Sequence, residues 1–446
     1  MKKWMKVNSV ALTAVMAVTL SGCGAATKET NVSASPTTKA TTAETTKPSD
    51  KPSNEIVKLR ISAQHFDDDT SKPYDYAAAE LKKEMPNVEL LLEPTLQDDN
   101  QKLKTQMATG DLPDIVDMNW NLIQIANKSN NILVLDKEAE TEKFKKDLLK
   151  GNEPKLIAPD GHVYGYPYGG IEFQIIYYNK KIFADAGVKL PIKTVDELKE
   201  AAKVFTAKGI TPMAIFGKEK WIGNAFLRGF MVREDPKGFG VLNEAMEVPE
   251  ALKLAAKQVS ELQAAGLFAK NATNTNYDQA SASFYQGKAA MFVNGQWEIS
   301  SSQKNLGDNV DWMYWPAKDE ATYEKSKFMM DGQGDATGFV VSSKTKDKAT
   351  AIKVAAFMAR KYAEYKYTMV GNPIVSVKVD KPVQVEVPAM LQRLSKEIIP
   401  NVTGYAAVLS NTKIGLALDD NSQNLLVPGF SVDQFVSNMN KALKDK

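Results

Sequence analysis

The sequence predicts an α/β protein built as two lobes. Strand-like and helix-like segments alternate from Glu55 onward. The same rhythm starts again near Phe173. The stretch from Glu55 to Lys446, about 390 residues, exceeds what one hydrophobic core usually serves.

The chain begins with Lys2, Lys3 and Lys6, then an apolar run from Val7 to Leu20. A basic start before a short apolar run is the layout of a secretory signal. The run is too short to cross a bilayer as a helix. It ends at Leu20-Ser21-Gly22-Cys23, and Cys23 is the only cysteine. A small-residue pair directly before a cysteine resembles the lipobox of bacterial lipoproteins. In those proteins the signal is cut before the cysteine, which becomes a lipidated N-terminus. An ordinary secretory signal with an incidental cysteine is the plainer alternative. Gly24 to Asn54 is rich in Thr, Ser, Ala, Lys and Pro. Such a segment buries too little to offset its ordering entropy and reads as a disordered tether. About thirty flexible residues reach roughly 30 Å. Residues 1–22 are thus expected to be signal, and 23–54 lipidated cysteine and tether.

The elements follow in order. Val57-Lys58-Leu59-Arg60-Ile61 alternates as a strand does. Tyr74 to Met85 has helical character, and Val88 to Leu92 is strand-like. Asn100 to Thr109 spaces Leu103 and Met107 four apart, with Gly110 where a helix stops. Ile115-Val116 opens a short buried strand. This βαβαβ rhythm predicts a mainly parallel sheet. The second lobe opens with a β-rich run, Phe173 to Tyr178, and a helix from Lys180 to Ala186 ended by Gly187. Thr194-Val195-Asp196-Glu197 fits a capping box before Leu198, Ala202 and Phe205, with a stop at Gly209. Val248 to Ala265 is a helix ended by Gly266. Ala289 to Val293 and Phe339 to Val341 are strands, and helices are expected over Ala349 to Lys361 and Val432 to Leu443.

Composition excludes several functions. The chain carries 56 basic and 54 acidic side chains. Loss of three signal lysines would leave 53 against 54. Near neutrality gives no reason to expect nucleic-acid binding. There are two histidines, His65 and His162, and no HExxH, zinc spacing, G-x-S-x-G or Walker A pattern. Asp331-Gly332-Gln333-Gly334-Asp335 lacks the Lys-Ser/Thr of a phosphate loop. Asp67-Asp68-Asp69 and Asp98-Asp99 lack EF-hand spacing and read as solvated loops rather than metal sites. No motif calls for a cofactor. No motif marks the opposed carboxylates of a glycan hydrolase either.

Aromatic and amide residues gather beside predicted strand ends. Asn119-Trp120 follows the strand at Ile115, and Tyr164 to Gly170 precedes the second-lobe strand. Asn294-Gly295-Gln296-Trp297-Glu298 follows the strand at Ala289. Open α/β sheets bind ligands beyond the carboxyl ends of their strands. An indole face can pack on a pyranose while amides and carboxylates take its hydroxyls. Core packing is the competing reading for each tryptophan, most of all for Trp312 and Trp315.

At these residues the chain resembles the extracellular solute-binding proteins of sugar-importing ABC transporters, the maltose-binding-protein-like group. The resemblance rests on Gly110-Asp111-Leu112-Pro113-Asp114-Ile115, Tyr164-Gly165-Tyr166-Pro167 running into Ile176-Tyr177-Tyr178-Asn179-Lys180, Phe284 to Trp297, and Gly338 to Ala356. It covers Val57 to the C-terminus, and lipobox and tether are typical of Gram-positive members. It implies a two-lobed periplasmic-binding-protein-like fold with crossover strands near Tyr168–Glu172, Pro316–Met330 and Val387. Lobe one would be 55–168 and 328–387, and lobe two 169–327 and 388–446. Trp297 matches the family's sugar-stacking tryptophan. Gln64, His65 and Asp67 follow the first strand, where members hold ligand. Asn119, Trp120, Tyr168, Glu172, Asp331 and Gln333 fall on matching cleft loops. Trp221 lies where a second platform often sits, and Tyr405 is nearest a third, at a different spacing. The resemblance further implies a monomer that performs no bond chemistry. It would be lipid-anchored outside the cell membrane through Cys23, carrying a sugar or oligosaccharide to permease subunits. A peptide or polyamine ligand is the rival within binding proteins, and a wall-bound glycan hydrolase the rival among enzymes.

Overall fold

The computed structural model describes residues 56–96, 98 and 100–446. The expected signal 1–22, Cys23, the tether 23–54 and Asp99 lie outside the described residues. Eleven strands occur among them: β1 Val57–Ala63, β2 Val88–Pro94, β3 Ile115–Met118, β4 Gly165–Tyr166, β5 Gln174–Asn179, β6 Thr211–Ala214, β7 Ala289–Gly295, β8 Val310–Met313, β9 Met329–Gln333, β10 Gly338–Val341 and β11 Gly404–Ala406.

They form two main sheets, one per lobe. The first has the order β2-β1-β3-β10-β4. Leu59, Ile61 and Ala63 of β1 are buried with Tyr74, Ala77 and Leu81 of the helix Asp68–Glu84. The helix Lys348–Val370 closes this core with Ala355, Met358 and Tyr362. The second sheet has the order β6-β7-β5-β8. Every residue of β5 and β7 is buried. Such unbroken burial needs cover on both faces. Phe205, Phe226, Phe230, Trp312, Trp315, Phe435 and Met439 belong to that core.

The expectation of mainly parallel pairing holds only in part. β1 runs parallel to β2 and β3, as short strand–helix–strand connections require. β10 is antiparallel to β3 and β4, because it enters after the chain returns from the other lobe. In the second sheet β5 is antiparallel to both β7 and β8, and only β6–β7 is parallel.

Three segments run between the two sheets. Residues 167–173 join β4 to β5, 314–337 join β8 to β10 and contain β9, and 371–388 leave the helix Lys348–Val370. These segments lean on one another. A Cβ on Gly332 would lie 2.2 Å from the Glu172 carbonyl oxygen, so only glycine allows the first two to approach so closely. Ser376 Oγ donates to the Pro167 carbonyl at 2.6 Å, tying the first to the third. β9 pairs with β11 in a separate two-stranded sheet. The glycine-rich run at Asp331 is therefore strand rather than open loop over its first three residues.

Candidate functional site

The head of the helix Asp68–Glu84 faces the helix Tyr277–Tyr285 and the turn Gln296–Glu298 across a cavity of about 500 Å³. Tyr365, Lys366, Met369 and Val370 extend the first wall, and Ser300, Ser301 and Lys304 of the helix Ile299–Leu306 extend the second. Asn372, Val385 and Pro388 of the third connecting segment also line it.

One wall is aromatic. Trp297 is half-buried and its ring lies 6.1 Å from that of Trp221, which is 37% exposed. Phe216 supports the pair, 5.1 Å from Trp221 and 4.7 Å from Tyr277. Trp297 sits directly over Gly295, whose imagined Cβ would be 2.1 Å from the indole. The backbone of Gly295 is ordinary, so its role is space rather than conformation.

Beside the aromatics lies a polar chain. Asn294 Nδ2 donates to Tyr277 Oη at 2.8 Å, and Tyr277 Oη donates to Glu298 Oε2 at 2.5 Å. Burial pushes the Glu298 carboxyl up to about 8, against the Tyr277 hydrogen bond. Burial and the adjacent Glu298 raise Tyr277 well above its usual range. Across the cavity, hydrogen bonds from Lys72 and Lys304 hold Asp68 down to about 2, while burial raises Asp69. Lys304 Nζ reaches Asp68 Oδ2 at 2.9 Å and Ser301 Oγ reaches Asp69 Oδ2 at 3.2 Å, bridging the walls.

Three of the sequence-predicted residues, Trp297, Trp221 and Asp67, belong to this region, with Trp297 and Asp67 lining the cavity. Asp67 also caps its helix by accepting from the Thr70 backbone at 2.9 Å. Gln64 is exposed, and His65 pairs with Asp75 at 3.0 Å and packs on Tyr74; neither lines the cavity. Asn119 caps the helix Trp120–Lys128 through the Leu122 N–H. Trp120 is buried against Tyr164 and borders a second cavity of about 360 Å³ with Gln124, Asn127 and Ser410.

A further group sits where the lobes join. Tyr168 packs on Phe339 and Tyr362 and donates to Asp117 at 2.9 Å. Burial pushes Asp117 up to about 6 despite that bond. Glu172 lies against Gly332. Asp331 is buried, accepts from the Gln174 N–H at 2.9 Å and faces Arg228 at 3.6 Å. Gln333 accepts from Arg228 at 3.3 Å and donates to the Ala407 carbonyl at 2.9 Å. Tyr405, 37% exposed, lies opposite Met330 in the small sheet.

Tyr277, Gln296, Glu298 and Asp69 were not singled out as site residues by the sequence. Gln296 and Glu298 flank Trp297 and could have been found from it. Tyr277 carries no such signal, since its helix start does not reveal which way its ring points. No group of three or more His, Cys, Asp or Glu among the described residues could hold a metal ion, and no described helix is long and apolar enough to cross a membrane.

The sequence profile of the bacterial extracellular solute-binding proteins matches residues 67–364. The chain is 25% identical to the multiple sugar-binding protein of Streptococcus mutans over 312 residues, covering 67% of this chain and 70% of that one. A structure solved in work on xylan utilization by Caldanaerobius polysaccharolyticus superposes with a TM-score of 0.75 at 22% identity, covering 86% of this chain and 99% of that one. A chitin oligosaccharide binding protein superposes with a TM-score of 0.72 at 23% identity, covering 87% and 98%. At that identity the two structures establish the two-lobed fold.

Proposed function

This chain belongs to the bacterial extracellular solute-binding proteins, and on that premise we propose that it captures a sugar, an oligosaccharide by preference, in the cavity between its lobes for delivery to an ABC permease. The paired indoles of Trp297 and Trp221 carry the reading. Two aromatic platforms side by side suit consecutive pyranose faces better than a compact ion. The names of the relatives, which concern multiple sugars, xylan and chitin oligosaccharides, point the same way.

The lobes we propose are residues 55–168 with 328–387, and 169–327 with 388–446. They would hinge on the three connecting segments. Tyr168, Glu172, Asp331 and Gln333 then sit at the joint, coupling cavity to hinge. The chain works as a binding protein without catalysis. It is held at the outer face of the membrane by lipid on Cys23, as a monomer.

A thermal-shift screen of residues 55–446 tests this. Xylo-oligosaccharides, chito-oligosaccharides and raffinose are compared with spermidine and a peptide mixture. A ligand bound to the native state raises the melting temperature by mass action. A rise with one saccharide class is expected; a rise with spermidine or peptide alone would overturn the sugar reading. Trp297→Ala is expected to weaken binding of the responding saccharide by about 1–3 kcal/mol in calorimetry, by analogy with aromatic–base stacking. Full affinity in the folded variant would remove Trp297 from the site.

A further inference from the structure

We propose that Gln296 and Glu298 form a two-donor floor in this cavity that recognises an acceptor oxygen of an uncharged ligand. The inference rests on the binding reading above and specifies the chemistry of the same site.

Both side chains are buried, 0% and 3% exposed, and both line the cavity. Each is tied to protein at one end only. Gln296 Oε1 accepts from the Phe173 N–H at 3.0 Å, which fixes the amide with Nε2 at the other end. Glu298 Oε2 accepts from Tyr277 Oη at 2.5 Å and from Asn294 Nδ2 at 3.4 Å. The remaining atoms, Gln296 Nε2 and Glu298 Oε1, are buried without a hydrogen-bond partner. Orphaned buried polar atoms are costly, and two of them beside one cavity are accounted for by a ligand that completes them.

The direction of those bonds follows from the chain that feeds them. Asn294 Oδ1 accepts from the Gly295 N–H at 2.8 Å, so its Nδ2 must donate. Tyr277 Oη accepts that hydrogen bond and donates its own to Glu298 Oε2. Oε2 is thus an acceptor twice over, and a proton on this carboxyl belongs on Oε1. The surroundings keep that proton in place. Asp67 and Asp69 bear on it from the head of the opposite helix and favour the proton, against the hydrogen bond from Tyr277 of the helix Tyr277–Tyr285, while Tyr177 faces it from β5. Both aspartates disfavour a second negative charge, and the nearby Lys366 acts on Asp69. Burial is the larger cause, and together they push the carboxyl up to about 8, so that the protonated form prevails at neutral pH. A neutral acid and an amide, both on residues that line the cavity, then leave an O–H and an N–H without a protein partner, which suits a hydroxyl or ring oxygen. A cation would instead draw the proton off.

Binding should therefore weaken as pH rises through the range where Glu298 ionises, by up to about tenfold per pH unit above that range. Calorimetry with xylotriose, chitotriose, raffinose and spermidine from pH 6 to pH 9.5 reads this. For a saccharide that binds, Glu298→Gln should flatten the pH profile, because the amide keeps a donor, and should bind more tightly than Glu298→Ala at pH 7. Gln296→Ala should lower affinity at every pH. Infrared difference spectra of the unliganded protein give a second readout, a protonated-carboxyl band at pH 7 that Glu298→Gln abolishes. A missing band, a Glu298→Gln variant no better than Glu298→Ala, or spermidine binding that strengthens with pH would each overturn the proposal. If no saccharide binds, the functional reading fails, while the infrared band still decides whether Glu298 is a donor.

Discussion

At the residue scale the aromatic wall depends on an absence. Trp297 occupies the space a side chain at Gly295 would fill, with the imagined Cβ 2.1–2.3 Å from the ring. The φ of Gly295 is −71°, which alanine adopts freely. Gly295→Ala should therefore fold but push the indole off its seat. We expect saccharide affinity to fall by about 1–3 kcal/mol, much as on loss of the ring itself, with an altered tryptophan emission and only a small change in melting temperature. An unchanged affinity would show that the position of Trp297 does not matter to binding. Trp297 was legible in the sequence because a short Asn-Gly-x-Trp turn carries it. The state of Glu298 was not, although it is the next residue. Its charged and hydrogen-bonding neighbours are Tyr277, Tyr177 and the head of a helix more than two hundred residues earlier, and only the fold assembles them. Trp120 shows what position alone leaves out. Its place beside a strand end suggested ligand; Tyr164 packs on it, the residue is 6% exposed, and it borders the second cavity.

At the element scale, helix ends were legible where their chemistry was ordinary. The Thr194–Glu197 capping box and the left-handed stops at Gly110 and Gly187 are all present. The helix expected from Tyr74 instead begins at Asp68, six residues earlier. Its capping box pairs Asp67 with Thr70 rather than with Glu or Gln, and Pro73 inside the helix masks the start. That early start matters to the site. It brings Asp67, Asp68 and Asp69 to the cavity as the first turn of a helix rather than as a loop. Asp67→Ala should destabilise the domain by about 1 kcal/mol in urea unfolding through loss of the cap, and Asp67→Asn should restore most of it. An Asn variant as unstable as the Ala variant would mean the charge on Asp67, rather than its cap, holds the helix. The mixed pairing of the second sheet was not legible for a different reason. Strand direction there is set by where the chain re-enters after each connection, and periodicity carries no sign of direction.

At the scale of the whole molecule, the two lobes touch through two separate sets of side chains. Asp68 meets Lys304 and Asp69 meets Ser301 in one, and Gln124 meets the Thr412 hydroxyl at 2.6 Å in the other. These partners lie 236, 232 and 288 residues apart, so no local pattern could announce them. The two-lobed division itself was readable from the restarted strand–helix rhythm, but the contacts that span it were not. In a hinged binding protein such contacts favour the closed arrangement without ligand. A ligand then has less of the closing to drive, because its apparent affinity scales with the fraction already competent. Exposed ion pairs contribute little singly, so the effect should need loss of both sets of contacts. Lys304→Ala combined with Thr412→Ala should shift unliganded X-ray scattering toward a larger radius of gyration while leaving the saccharide-bound profile in place. Saccharide affinity should also drop in the double variant, and because Lys304 itself lines the cavity the scattering is the readout that isolates closure. Identical unliganded scattering would mean the connecting segments alone set the angle between the lobes. The tight packing of Gly332 on Glu172 and the Ser376–Pro167 bond would then be the elements to loosen.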